Sequence, residues 1–229
     1  AQDFIQRFGF EAEKHPPYLT MALGAGSVTP LELATGYGVF ANGGYRVEPY
    51  LISKVIDAKG NVDLAHLEEL LKNNERSFVS LMHANNEIST LLPMKEVSML
   101  CRKYDALFHS DTVQTMGHYT FDLKELDIDF IACAAHKIHG PKGIGFLYDN
   151  KNIKMEPLIH GGAQERGLRG GTENVYGIVG LAKAMELAFE DVLGHQKHVQ
   201  SLKTYFIDNL KKAFPTVHFH GETDPEKSL

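Results

Sequence analysis

The 229-residue chain has no tryptophan and only two cysteines, Cys101 and Cys133. Two thiols cannot build a disulfide framework, so packing must hold the fold, and a reducing compartment is compatible. No apolar run approaches the ~20 residues that cross a bilayer. The chain begins at "AQDF" with no methionine and no charged, then apolar, leader pattern, which says little about its location. Its 29 acids and 23 bases form no long run of one sign, and the net charge of -6 gives no sign of a nucleic-acid partner. Twelve histidines invite a metal reading, with His109, His118, His136 and His139 as candidates, yet no Cys–His or Glu–His spacing supports a tetrahedral site. No metal is therefore expected. What remains is ordinary globular composition, 43% hydrophobic and 23% charged, enough for one large domain or two small ones.

Two parts of different character follow one another. In residues 1–61, "VTPLELATGYGVFANGG" predicts a helix capped by Thr29, with Pro30 in its first turn and Gly43 or Gly44 at its end. "YRVEPYLISKVIDAKGN" reads as extended, closing on a Gly60–Asn61 turn. From Val62 onward helix and strand signals alternate. "VDLAHLEELLK" spaces Leu64, Leu67 and Leu71 helically behind Asp63, and "PMKEVSMLCRKYD" puts Val97, Leu100, Cys101 and Tyr104 on one stripe. "SFVSLMHANNE", "LFHSDTVQ", "DFIACAAHK" and "GIGFLYD" are strand-like runs. Residues from about Val175 to Phe214 read as mostly helical, with a break expected at Gly194. Such alternation predicts an α/β fold with a mostly parallel sheet covered by helices, preceded by a small α+β segment.

Chemistry gathers at the strand ends. Asn86, Asp111 and Lys137 each fall at or just beyond the end of a predicted strand, and in open α/β sheets the carboxyl edge carries the working groups. An amine beside His136 and His139 has polar company that can free its lone pair for attack on an aldehyde. A carboxylate opposite can hold a pyridine nitrogen protonated, which makes the ring an electron sink. Gln114 can hydrogen-bond a phenolate oxygen. The glycine-rich "RGGTEN" can offer backbone N–H groups and the Thr172 hydroxyl to a phosphate. Together these parts describe a pyridoxal 5′-phosphate (PLP) site.

The strings "MHANNEI", "FHSDTVQTMGH", "AHKIHGPKGIGFLY" and "HGGAQERGLRGGTEN" carry a family resemblance. Residues 62–229 resemble the central part of NifS/IscS-like cysteine desulfurases, PLP-dependent enzymes of the class V aminotransferase fold, in its aspartate-aminotransferase-like large domain. The resemblance implies that Lys137 carries the imine to the cofactor and that Asp111 pairs with its ring nitrogen. It places Gln114 and Asn86 near the ring oxygen and substrate, and His136 beside the cofactor. Thr172 would reach the phosphate of a neighbouring subunit, which implies a homodimer. The implied reaction takes sulfur from L-cysteine, leaving L-alanine and an enzyme persulfide for iron–sulfur or thio-cofactor assembly through a sulfur-acceptor protein, in the cytoplasm.

Departures accompany the likeness. The family places Ser or Thr three residues before the lysine, where this chain has Ala134. One hydrogen bond to phosphate is lost there, about 1.5–3 kcal/mol. The family's upstream phosphate turn and ring-stacking histidine, its downstream sulfur-accepting cysteine loop and its substrate-carboxylate arginine are not among these strings. Cys101 on a helix stripe and Cys133 within a strand do not replace that cysteine, so impaired turnover is expected.

Residues 1–61 resemble something else. "ALGAGSVTPLELATGYGVFANGGYRVEPYLI" is similar to a late transpeptidase segment of class A penicillin-binding proteins. That family acts through Ser-x-x-Lys, Ser-x-Asn and Lys-Thr-Gly, and none of these occurs here. The segment thus implies a fragment without its catalytic parts. A chimaera joined near Gly60–Asp63 is the expectation.

Overall fold

A computed structural model of the chain describes residues 2–8, 10–15, 60–150, 153–224 and 227–229. The helix expected behind Thr29 and the extended segment after it lie outside the described residues. The chain divides into two compact units, Ala1–Ser53 with Met155–Gly171, and Lys54–Lys154 with Thr172–Leu229. In the first, the described residues form helix α1 (Gln2–Gln6), a 3₁₀ turn at Ala12–Lys14 and the loop 155–171. Within that loop the Gly170 amide donates to the Ile159 carbonyl at 2.8 Å, and the Gly171 amide donates to Gln164 Oε1 at 3.1 Å.

The second unit is a four-stranded sheet in the order β1 (Phe78–Met82), β2 (Leu107–Asp111), β3 (Phe130–Ala134), β4 (Gly145–Asp149). The first three strands are parallel and β4 is antiparallel to β3. The expected α/β fold with a mostly parallel sheet is what forms. Helix α2 (Leu64–Asn73) begins where Asp63 accepts a hydrogen bond from the His66 amide at 3.0 Å, so the cap read from the sequence is in place. Leu67 and Leu71, one turn apart, bury its inner face.

Helix α3 (Met94–Lys103) turns Met94, Val97, Ser98 and Cys101 inward, the helical spacing seen in the sequence. They meet Val79, Phe108, Ile128, Ile131 and Cys133 in one core. Short helix α4 (Leu123–Leu126), capped by Asp122, sits against α3, where the Ser98 hydroxyl donates to the Leu126 carbonyl. Asp129 ties these layers together. Its carboxylate, almost fully buried, accepts from the Phe108 amide at 2.7 Å and from the Arg102 guanidinium.

Helices α5 (Val175–Ala188) and α6 (Val192–Ala213) complete the unit. The break falls at residues 189–191, not at Gly194. Asp191 starts α6 by accepting from the Gly194 amide at 2.9 Å. A Cβ at Gly194 would lie 2.1 Å from that carboxylate, so the glycine makes room for the cap instead of ending the helix.

Candidate active site

Parallel strands β1, β2 and β3 all end at one edge, and the sequence-predicted residues follow those ends. Asn86 lies in the turn after β1, exposed, with its amide donating to Glu87 Oε1 at 2.8 Å. Asp111 is the last residue of β2, the central strand of the trio, opposite Met82 on one side and Ala132 on the other. Its backbone is held from both flanks: the His83 amide donates to the Asp111 carbonyl at 2.8 Å, and the Thr112 amide donates to the Ala132 carbonyl at 3.0 Å. Its carboxylate accepts from the Val113 amide at 2.9 Å, a turn contact that starts no helix. Gln114, half-buried, sits in the same turn. The Asp111 charge is felt by neighbours: burial lowers the His109 pKa while Asp111 opposes the shift.

Lys137 follows β3 on a single 3₁₀ turn, Ala135–Ile138. Ala135 and Ile138 point into the protein and pack with Leu181 and Ala184 of α5, which leaves His136 and Lys137 on the outside, both exposed. His139 ends the turn in the left-handed conformation (φ 63°), with its amide donating to the Ala135 carbonyl. Ala134, the residue standing where a hydroxyl was expected, closes β3 opposite Gly145. The edge therefore presents an amine, a carboxylate and two amides on neighbouring strand ends.

Thr172 is exposed and precedes α5 by a few residues. Asn174, not Thr172, caps that helix, accepting from the Gly177 amide at 3.1 Å. The threonine hydroxyl has no capping duty.

One group near this edge escapes a sequence reading, and a second is singled out there only as a metal candidate. His83, just past β1, is buried, with Nδ1 2.9 Å from the Thr115 hydroxyl and its ring edge-on to Tyr119 and Phe121. Burial lowers its pKa to about 4, so the ring is neutral near pH 7. In "LMHANNE" it reads as one more loop polar residue, and only the apolar "YTF" 36 to 38 positions later hints at its enclosure. His118 is the other: its half-buried ring lies 5.1 Å from that of His195, and burial lowers its pKa.

Both thiols are buried, and burial raises each pKa to about 11. Neither supplies a thiolate near neutral pH. Among the described residues, no group of three His, Cys, Asp or Glu side chains is arranged to hold a metal ion, and no helix is long and apolar enough to cross a membrane.

A mostly parallel α/β sheet with polar residues just beyond its strand ends defines a class of proteins that bind small ligands at the sheet's carboxyl edge. The chain belongs to the aminotransferase class-V family, whose model matches residues 42–228. The family's cofactor is pyridoxal 5′-phosphate. The chain is 43% identical over 166 residues to the cysteine desulfurase IscS of Dictyoglomus turgidum, covering 72% of this chain and 42% of that relative. It is 45% identical over 178 residues to the cysteine desulfurase of Enterobacter agglomerans, covering 77% and 44%. Among solved structures, a NifS-like protein superposes with a TM-score of 0.72 at 37% identity, covering 88% of this chain and 53% of that one. The NifS-like protein of Rickettsia africae gives 0.67 at 37%, covering 69% and 44%. The chain spans less than half the length of these curated relatives.

The donor set suits the cofactor chemically. An exposed primary amine, an acid fixed at a central strand end and neighbouring amides match an aldehyde, a ring nitrogen and a ring oxygen.

Proposed function

We propose that the chain is the PLP-binding part of a cysteine desulfurase, acting on L-cysteine to give L-alanine and sulfur carried as a persulfide. The observation that carries this reading is the shared edge of β1, β2 and β3, with Asn86, Asp111, Gln114, His136 and Lys137 following the strand ends. When bound, PLP supplies an electron sink that acidifies the substrate's α-carbon. Asp111 keeps the proton on the pyridine nitrogen, and its clamped backbone fixes that carboxylate before any ligand arrives. Gln114 donates to the ring oxygen, Asn86 orients the ring oxygen and the substrate, and His136 lies beside the ring. Lys137 Nζ would hold the cofactor's aldehyde and would move a proton at the substrate's α-carbon. Thr172, free of capping duty, binds the phosphate of a second copy, which makes the working unit a homodimer.

Sulfur leaves substrate only toward a thiolate that can reach it. Cys101 and Cys133 are buried with raised pKa values, so neither serves, and this chain alone turns over slowly or not at all. A sulfur-acceptor protein and a cytoplasmic setting belong to the same reading. Residues 1–61 remain, on their sequence string, a penicillin-binding-protein-like segment in a chimaera with residues 62–229. An unbroken reading frame recovered independently across Gly60–Asp63 would count against an assembly artefact.

Mixing the chain with PLP tests the reading. A visible band should form, bleach with borohydride and disappear in Lys137→Ala. A wild-type chain that gives no band is instead a catalytically silent α/β module.

A further inference from the structure

Asn86 sits at the tip of a hairpin that carries the chain on beyond β1. The Leu92 amide donates to the His83 carbonyl at 2.7 Å and the Asn85 amide to the Thr90 carbonyl at 3.2 Å, with Ala84 bridged antiparallel to Leu91. Asn85 shapes the tip: its side-chain oxygen accepts from the Glu87 amide at 2.8 Å and from the Ile88 amide at 3.1 Å. A two-stranded hairpin is marginally stable on its own in water. Whatever holds its outer strand therefore decides where Asn86 stands.

Residues 227–229 hold it. The Leu91 amide donates to the Lys227 carbonyl and the Leu229 amide to the Ser89 carbonyl, both at 2.8 Å, around an antiparallel bridge between Thr90 and Ser228. Thr90 and Ser228 are both buried. Gly221 lets the preceding loop close on the same hairpin: its φ of 80° is left-handed, and a Cβ there would lie 2.2 Å from the Ile88 carbonyl oxygen. Helix α6 anchors the segment in turn. Lys203 Nζ donates to the Ser228 hydroxyl and, at 2.8 Å, to the Leu229 carbonyl, and Gln200 Nε2 donates to the Ser228 carbonyl at 3.0 Å. The Ser228 hydroxyl passes its own proton to the Asp224 carbonyl at 2.7 Å, which leaves its oxygen to accept from the lysine. Bonds donated by an ammonium are roughly twice as strong as neutral ones.

We infer that Lys203 is a positioning residue for the candidate site: by holding residues 227–229 against the hairpin, it fixes where Asn86 stands. The inference deepens the PLP reading and rests on it for what Asn86 does there. Lys203 touches neither cofactor nor substrate. It acts through two backbone crossings, from α6 to residues 227–229 and from these to the turn after β1.

The test uses the full chain. Without cofactor, amide hydrogen exchange is followed at Leu91 and Leu229, whose amides make the crossing, with the buried Phe108 amide as a reporter of global opening. Lys203→Met keeps the stem and removes the ammonium. It should speed exchange at Leu91 and Leu229 about tenfold, the worth of one hydrogen bond from a charged donor, and leave Phe108 unchanged. Lys203→Arg, which keeps charge and donors, should restore most of the protection. A second arm reads Asn86 itself. The visible band of bound PLP changes with pH at a midpoint that hydrogen bonds to the ring oxygen help to set. Asn86→Ala and Lys203→Met should move that midpoint in the same direction, and Lys203→Met should add little once Asn86 is alanine. Wild-type exchange rates in Lys203→Met, an equal rise at Phe108, or a midpoint that Lys203→Met leaves in place would overturn the inference. A wild-type chain that binds no PLP overturns the cofactor reading instead, and the exchange arm still decides the clamp.

Discussion

Helix α3 and the pair α5–α6 are both rich in apolar residues, and the chain treats them differently. On α3 the inward stripe is sealed, with Val97 and Cys101 fully excluded from solvent. On α5 and α6, Tyr176 is 92% exposed, and Val179, Leu193, Tyr205 and Phe206 are each exposed by more than 60%. Single exposed apolar residues are ordinary on a protein surface, but a set of this kind on successive helices signals an interaction face. The α3 side of the sheet finishes its burial within the chain, although Phe78 and Leu147 on the strands stay exposed. The α5–α6 side, which starts just after Thr172, leaves these apolar residues exposed.

Substitutions can break that contrast. The largest effect is expected at Phe108, fully buried beneath α3. Phe108→Ala should cost about 3–5 kcal/mol in urea unfolding, since the cavity adds to the lost transfer energy. Next comes acid. His83 has a folded pKa of about 4 against an ordinary 6.5. The unfolded chain therefore binds a proton that the folded one refuses. Stability from this group is fully present above pH 6.5 and is lost as pH falls toward 4, by about 3 kcal/mol. Unfolding curves across that window should show the decline, and His83→Gln should flatten it. The smallest effect on stability is expected on the other helices. Tyr176→Ser with Val179→Ser should change the unfolding free energy of the separated chain by only about 0.5 kcal/mol. The same pair should shift sedimentation toward the monomer, and an unchanged mass distribution would place the partner surface elsewhere.

Much of the fold was legible because local signals agreed with tertiary ones. Asp63 capped its helix as read, and Val97 and Cys101 turned inward at the expected spacing. The strand ends placed Asn86, Asp111 and Lys137 on one edge. Other features depended on contacts that periodicity does not encode. Gly194 looked like a breaker and instead accommodates the carboxylate of Asp191. "GIGFLYD" has the same apolar pattern whether it runs parallel or antiparallel, so its direction was not readable. Asn174 caps α5 because its side chain reaches the Gly177 amide, a contact that periodicity does not announce.

The sealed thiols have a practical consequence. Cys101 lies under α3 and Cys133 inside β3, so a sulfhydryl reagent added in excess can react only when the interior opens. The rate of labelling then becomes a clock for those openings, and the order in which the two sulfurs are tagged tells which layer parts first.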